Sequence, residues 1–158
     1  MVDISVRPAN GEDLTTINQI ITDCVYSWDL SDRVKRLTLQ SYLYDIHDLD
    51  HLDIFVAVNK DGDMLGVAAL ESANSSDLPA NLSGLLLHGL YVAPEHQRKQ
   101  VGNTLMDHSM EHVKQQQMQG LLVKAQPDAN SYFEKQGFEC LPVNNINKDY
   151  PYRWWKLV

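Results

Sequence analysis

Apolar positions recur along this chain in two rhythms, and the places where the rhythm changes mark its elements. Ile4-Ser5-Val6-Arg7 alternates and stops at Pro8, the period of a first strand. Asn10-Gly11-Glu12-Asp13 then supplies turn and capping residues ahead of Leu14, Ile17, Ile20, Ile21, Val25 and Trp28, a spacing that predicts a helix with one apolar stripe. Ser31 or Asp32 can cap a second helix carrying Val34, Leu37, Leu39 and Leu43. The runs 54–58 and 64–70 flank Asn59-Lys60-Asp61-Gly62-Asp63, whose Asp-Gly pair predicts a hairpin. Residues 71–84 are polar and read as an exposed loop.

Leu85, Leu86, Leu87, Leu90, Tyr91 and Val92 make a near-continuous apolar run, as in a strand covered on both faces. Ala93-Pro94 ends it, because proline cannot donate to a ladder. Residues 101–119 predict the main helix, with Leu105, Met106, Met110 and Val113 inward, His108 and His112 on a solvated flank, and Gly120 as its stop. A short strand at 121–124, a short helix at 129–136 closed by Gly137, and a last strand within 150–158 complete the order. The aromatics of that tail can pack a small core or line a pocket. Hairpin strands joined to helix-linked parallel ones predict an α+β (mixed α/β) domain with a mixed central sheet, spanning 1–158 as a single domain.

The loop Gln97-Arg98-Lys99-Gln100-Val101-Gly102-Asn103 opens the main helix. A helix opening presents unpaired N–H groups and a partial positive charge, for which phosphate is a natural guest. Arg98 and Lys99 sit badly at that end of the dipole unless an anion joins them, which strengthens the phosphate reading.

This loop resembles the pyrophosphate-binding signature of the GNAT superfamily of N-acetyltransferases, Gln/Arg-x-x-Gly-x-Gly/Ala. Gln97 and Gly102 match its ends, and Gln100 stands where the middle glycine is expected. The segment Ala129-Asn130-Ser131-Tyr132-Phe133-Glu134-Lys135-Gln136-Gly137-Phe138 resembles the family's second acyl-CoA motif. Together the two motifs cover roughly 85–140, separated by one helix and one strand. The resemblance implies a three-layer fold with a mixed, mostly antiparallel sheet flanked by helices, and a V-shaped gap between the fourth and fifth strands through which the cofactor enters. It implies that the first two helices form one wall of the acceptor site. It also implies acetyl-CoA as cosubstrate, held by the backbone of Leu90, Tyr91 and Val92, by the amides from Gln97 to Asn103 with Arg98 and Lys99, and by Asn130 and Phe133. Gln100 fits this expectation if it keeps a negative φ and turns its side chain outward.

Acetyl transfer from a thioester to an amine requires a deprotonated nucleophile, a held oxyanion and a departing thiolate. An amine of pKa ~10.4 is nucleophilic in only about one molecule in 2,500 at neutral pH, so a base is valuable. Many family members carry a glutamate on the fourth strand; here 85–92 has no carboxylate, and His88 is the titratable side chain available as base. Packing as an ordinary hydrogen-bonded histidine is the competing reading. Tyr132 is the acid candidate, one position earlier than the usual tyrosine, whose place Phe133 takes. That Tyr-Phe order resembles the histone-acetyltransferase branch, in which the ring packs on the cofactor. Gln126 replaces an asparagine often found three positions before Ala129.

Composition narrows the field further. At 158 residues, with 44% hydrophobic and 22% charged residues, the chain has the make-up of a globular domain. Its net charge of −8 argues against general nucleic-acid binding and favours cationic partners such as amines. No apolar run approaches a membrane span, the N-terminal stretch lacks a secretory signal, and Cys24 and Cys140 are isolated, so a reduced cytoplasmic setting is expected. Asp45, Asp48, Asp50 and Asp53 interleave with His47 and His51 at a spacing that matches no defined metal loop, so an acidic linker and no metal are expected. The reading is an acetyl-CoA-dependent N-acetyltransferase acting on a primary amine of a small molecule or a peptide or protein; a homodimer is compatible with it. Two alternatives stand beside it: a non-catalytic acyl-CoA-binding sensor of the same fold, and a structural interaction domain that binds no CoA.

Overall fold

The computed structural model describes residues 3–158; Met1 and Val2, part of the stretch read for a secretory signal, lie outside them. In chain order the elements are β1 (Ile4–Pro8), α1 (Leu14–Ser27), α2 (Asp32–Tyr42), α3 (Asp48–His51), β2 (Asp53–Asn59), β3 (Met64–Ser72), β4 (Gly84–Val92), α4 (Val101–Gln115), β5 (Gly120–Lys124), α5 (Asn130–Lys135), β6 (Glu139–Cys140) and β7 (Arg153–Leu157). The strands hydrogen-bond in the order β1-β2-β3-β4-β5-β7-β6. β1–β2, β5–β7 and β6–β7 are antiparallel, and β4–β5 is parallel. The mixed α+β architecture is therefore the one expected, with small additions. The acidic stretch 45–53 contains the single turn α3, the 71–84 loop holds a 3-10 turn at Ser75–Asp77, and the two-residue β6 gives no sequence signal.

The chain forms two compact units. The first comprises the described residues of Met1–Ala69 together with Gly89–His108. Its register is fixed by β1 against β2, from Ile4↔Asn59 to Pro8↔Phe55. Asn10 caps the start of the first helical segment: its side chain accepts from the Glu12 N–H, while Asp13 accepts from the Asn10 N–H at 2.9 Å and from both Arg7 guanidinium nitrogens at 2.8 and 2.9 Å. The Arg7 partner holds the Asp13 carboxyl below the usual carboxylate range. α1 buries Ile17, Ile20, Ile21 and Val25 of the stripe its spacing predicts, adds Cys24 to it, and leaves Leu14 and Trp28 half-buried; Ile17, Ile21 and Val25 pack in a core with Tyr44, Ile54, Val56, Val67 and Ala69. Ser31 caps α2 by accepting from the Val34 N–H at 3.2 Å. α2 itself buries no residue, and Val34 and Leu37 lie 43% and 68% exposed. Of the four apolar positions read at helical spacing, Leu39 and Leu43 pack against the core, with Tyr42 beside them, and all three are half-buried. The hairpin turns as expected: Gly62 has φ +87°, and the Asn59 side chain accepts from the Asp61 and Asp63 N–H groups.

The second unit comprises Leu70–His88 and Ser109–Val158. Parallel pairing runs from Gly84↔Gly120 to Leu87↔Val123, and β5 pairs β7 from Gly120↔Leu157 to Lys124↔Arg153. Trp155 is 2% exposed and lies over Gly84 and Gly120: a Cβ at either glycine would come within 2.7 and 2.5 Å of its ring. The tail aromatics Trp154 and Trp155 are core residues. Arg153 is also buried, and donates to the backbone carbonyls of Asp77, Pro142 and Tyr150, so the long loop before β7 is fastened without an apolar plug.

Along α4 the buried positions are Val101, Leu105, Met106, Ser109, His112 and Val113, with Met110 half-buried. His112 thus leaves the solvated flank assigned to it. Residues 101, 105, 109 and 113 fall on one i, i+4 line, and 109 and 112 are i, i+3 neighbours, so the inward face takes a small serine and an imidazole with it. β4 also differs from a strand covered on both faces. Leu85 and Leu87 are buried, His88 is exposed, and residues 89–92 are half-buried. The reason lies in its partners, since the parallel register with β5 ends at Leu87↔Val123 while β4 continues to Val92.

Candidate active site

The exit of β4 sets the geometry of the first motif. The Ala93 N–H donates to the Leu65 carbonyl at 2.9 Å, and the Tyr91 carbonyl lies against Gly66, 2.8 Å from where a Cβ would stand there. Strand alternation then turns the backbone groups of Tyr91 toward β3 and those of Leu90 and Val92 toward the opposite edge. The Val92 carbonyl accepts from Cys24 Sγ at 3.1 Å and from Gln97 Nε2 at 3.2 Å. Gln97 also donates its own N–H to the Pro94 carbonyl at 3.4 Å, so both its amides serve the local turn.

Beyond Gln97 the loop is exposed from Arg98 to Gln100 and enters α4 at buried Val101. Arg98 has φ +63° and Gln100 φ +66°, the left-handed region where a side chain is costly. A negative φ was expected at Gln100, and this is a correction. The turn demands a glycine-like backbone at the glycine position whatever residue stands there. Its stay is visible on the far side: the Gln100 carbonyl accepts from the Thr104 N–H at 3.0 Å and from Thr104 Oγ1 at 2.9 Å. Residues of alternating hand line up successive N–H groups into an anion-binding concavity, and the first amides of α4, at Val101 and Gly102, have no carbonyl within the helix to donate to. Asn103 follows, exposed, in the first turn.

Around Tyr91 the same unit gathers an aromatic run. Trp28 meets Tyr42 edge-on at 5.8 Å, and Tyr42 meets Tyr91 edge-on at 6.4 Å, all three half-buried. Burial, with Tyr42 beside it, pushes the Tyr91 hydroxyl far above the ordinary phenol range. Burial likewise pushes the Cys24 thiol up to about 11, so it stays a protonated donor.

The second motif lies in the other unit and is built by packing. Phe133 is 6% exposed; its ring meets Tyr132 at 5.2 Å and Phe138 at 5.5 Å, both edge-on. The Tyr132 hydroxyl is buried. Asn130 Oδ1 accepts from Trp154 Nε1 at 2.9 Å, which ties the start of α5 to β7. Gly137 has φ +89° and ends the helix, and Lys156 Nζ donates to the Gln136 carbonyl at 2.7 Å. His88, the candidate base, sits exposed on β4 two residues before Leu90.

Among the described residues no cluster of three or more His, Cys, Asp or Glu side chains is placed to hold a metal ion, and no helix is long and apolar enough to cross a membrane. Sequence reasoning found the loop but missed Cys24, whose contact with the Val92 carbonyl at the exit of β4 is tertiary, and Thr104, whose contact with Gln100 depends on the loop's own fold. Cys24 looks like one more member of an apolar stripe, and Thr104 like any polar residue in a first turn.

The comparisons with known proteins agree with this architecture. The sequence matches the Acetyltransferase (GNAT) domain family over residues 34–150, 117 of the 158 positions. No curated protein matches it. Among solved structures, the chain is similar to the PaiA N-acetyltransferase of Thermoplasma acidophilum, determined in complex with coenzyme A, at 18% identity, 99% coverage of each chain and a TM-score of 0.74. A GCN5-related N-acetyltransferase from Rhodopseudomonas palustris aligns at 19% identity over 100% of this chain and 98% of its own, with a TM-score of 0.74. A GNAT family acetyltransferase of Brucella melitensis, determined with acetyl-CoA, aligns at 15% identity over 98% and 88%, with a TM-score of 0.68. The chain belongs to the GNAT family of acetyltransferases.

Proposed function

We propose that the protein transfers the acetyl group of acetyl-CoA directly to a primary amine of a small molecule or of a peptide or protein. The observation that carries this reading is the loop at 97–103, with left-handed Arg98 and Gln100 opening α4 beside the Arg98-Lys99 pair. In the proposed complex the CoA diphosphate takes the amides from Arg98 to Asn103, and the pantetheine arm and oxyanion take the N–H groups of Leu90 and Val92. The amine nitrogen attacks the thioester carbonyl carbon, the C–S bond breaks, and the thiolate leaves with the electron pair. His88 accepts the proton the amine sheds, directly or through water. By the family resemblance, Asn130 and Phe133 contribute to cofactor binding, and Tyr132 packs on the cofactor or protonates the sulfur.

The acceptor belongs to the same reading. The half-buried aromatic run Trp28, Tyr42 and Tyr91 offers rings of the kind that attract an ammonium group, and the chain's net charge of −8 draws cations. A cytoplasmic setting is supported by two free cysteines, one buried and one exposed.

The absence of a carboxylate on β4 favours one second reading, a non-catalytic acyl-CoA sensor. Free-thiol release from acetyl-CoA with a panel of amines, run beside calorimetric CoA binding, separates the two. Turnover that falls about 10²-fold in His88→Ala, with the acid limb of the pH–rate curve removed, is the expected result. Binding with no turnover on any amine would assign the sensor role, and no CoA binding would leave a structural interaction domain.

A further inference from the structure

We propose that Cys24 and Gln97 are positioning residues for the cofactor: together they hold the Val92 carbonyl and thereby the exit of β4 and the loop behind it. The inference rests on the functional reading above and adds a role for α1 in cofactor binding. Val92 is the last residue of β4, and alternation turns its carbonyl away from β3. Without ladder partners there, both its lone pairs would need water or side chains. Cys24 Sγ supplies one donor at 3.1 Å and Gln97 Nε2 the other at 3.2 Å. One donor comes from the buried face of α1, the other from the first position of the phosphate loop, so the carbonyl is gripped from both sides of the turn.

The backbone just beyond this grip shows its use. Arg98 and Gln100 are left-handed without being glycine, a conformation an isolated loop would relax from. The stretch is instead pinned at both ends, at the Val92 carbonyl by Cys24 and Gln97, and at the Gln100 carbonyl by the Thr104 N–H and hydroxyl. α1 also packs against the intervening turn Pro94–His96. Burial keeps the thiol protonated up to about 11, so the grip does not titrate at neutral pH. A loop held in advance binds its anion without the cost of ordering.

Calorimetry with CoA and with adenosine 3′-phosphate 5′-diphosphate, which keeps the diphosphate and lacks the pantetheine arm, tests this. Removing one donor in Cys24→Ala or Gln97→Leu is expected to weaken both ligands about five- to tenfold, as for loss of one net hydrogen bond. Cys24→Ser, which keeps a donor, is expected to recover most of the loss. Gln97 is exposed, so its variant reports on the loop even if Cys24→Ala folds poorly. Unchanged affinity for both ligands in Gln97→Leu, or in a folded Cys24→Ala, would overturn the proposal while leaving the functional reading intact. Failure of the unaltered protein to bind either ligand would overturn both.

Discussion

The two segments that carry the family likeness are built in opposite ways. In 97–103 the side chains from Gln97 to Gln100 are exposed and two residues hold a left-handed backbone just before α4. In 130–138 the backbone is an ordinary one-and-a-half-turn helix closed by a left-handed glycine, and the information lies in side chains: Phe133 and Phe138 are buried and ring-stacked edge-on, and Asn130 is tied to Trp154. The first segment bears conformational cost in a place that contributes little to the core. The second fills the core in a conformation that costs little. A motif matched by letters can therefore stand for either of two physical demands, and substitutions should separate them: one segment should change ligand binding at constant stability, the other stability first.

The largest expected effect falls on the packed segment. Phe133→Ala removes a buried ring with aromatic neighbours on two sides and should cost about 3–5 kcal/mol, read by urea denaturation. A loss below about 1 kcal/mol would mean that this segment is not the packing element described, and the contrast would fail.

Next comes the loop. Arg98→Ala/Lys99→Ala should weaken CoA about tenfold or more and flatten its dependence on salt, because two cations at the proposed phosphate site are lost. Both side chains are exposed, so the thermal midpoint should stay within a degree or two of the unaltered protein. Unchanged CoA affinity would move the phosphate site away from this loop.

These contrasts also mark how far the sequence could be read. Period and punctuation give the stripe of α1, the Ser31 cap, the Asp-Gly hairpin and the succession along the chain of every strand but β6, because each depends on residues close in the chain. The exposure of Val34 and Leu37 on α2 was hidden, since spacing shows that a helix has an apolar face and not whether anything covers it. His112 was misplaced, and Ser109 went unread, for the converse reason: a polar residue at an inward position breaks no periodicity that composition can detect. At the site, the loop was legible as a motif, whereas the grip of Cys24 on Val92 joins residues 68 apart and has no local signal. Arg153 is a similar case, a charged residue in an aromatic tail that donates to the nearby carbonyl of Tyr150 and to those of Pro142 and Asp77, the last 76 residues away.

The smallest effect is expected at Gln100, and it tests the contrast most closely. Its φ of +66° is a conformation that costs a residue with a side chain roughly 1–2 kcal/mol and glycine almost nothing. Gln100→Gly should relieve that strain. The same change gives the unfolded chain more freedom, which takes back roughly 0.5–1 kcal/mol. The net gain in stability should therefore stay below about 1.5 kcal/mol, or a few degrees in thermal midpoint. Affinity follows a separate logic. The Gln100 carbonyl is already held by Thr104 through two hydrogen bonds, so the backbone has the left-handed shape before any phosphate arrives. Glycine at this position would remove a side chain beside the proposed phosphate site without changing the backbone shape, and the Kd for acetyl-CoA should change by less than tenfold, ~1.4 kcal/mol. Calorimetry on the two proteins decides it. A gain much larger than tenfold would show that the glutamine side chain obstructs the anion, that the loop has the form of a phosphate site without its full strength, and that a protein impaired in binding acyl-CoA describes this chain better than an efficient transferase.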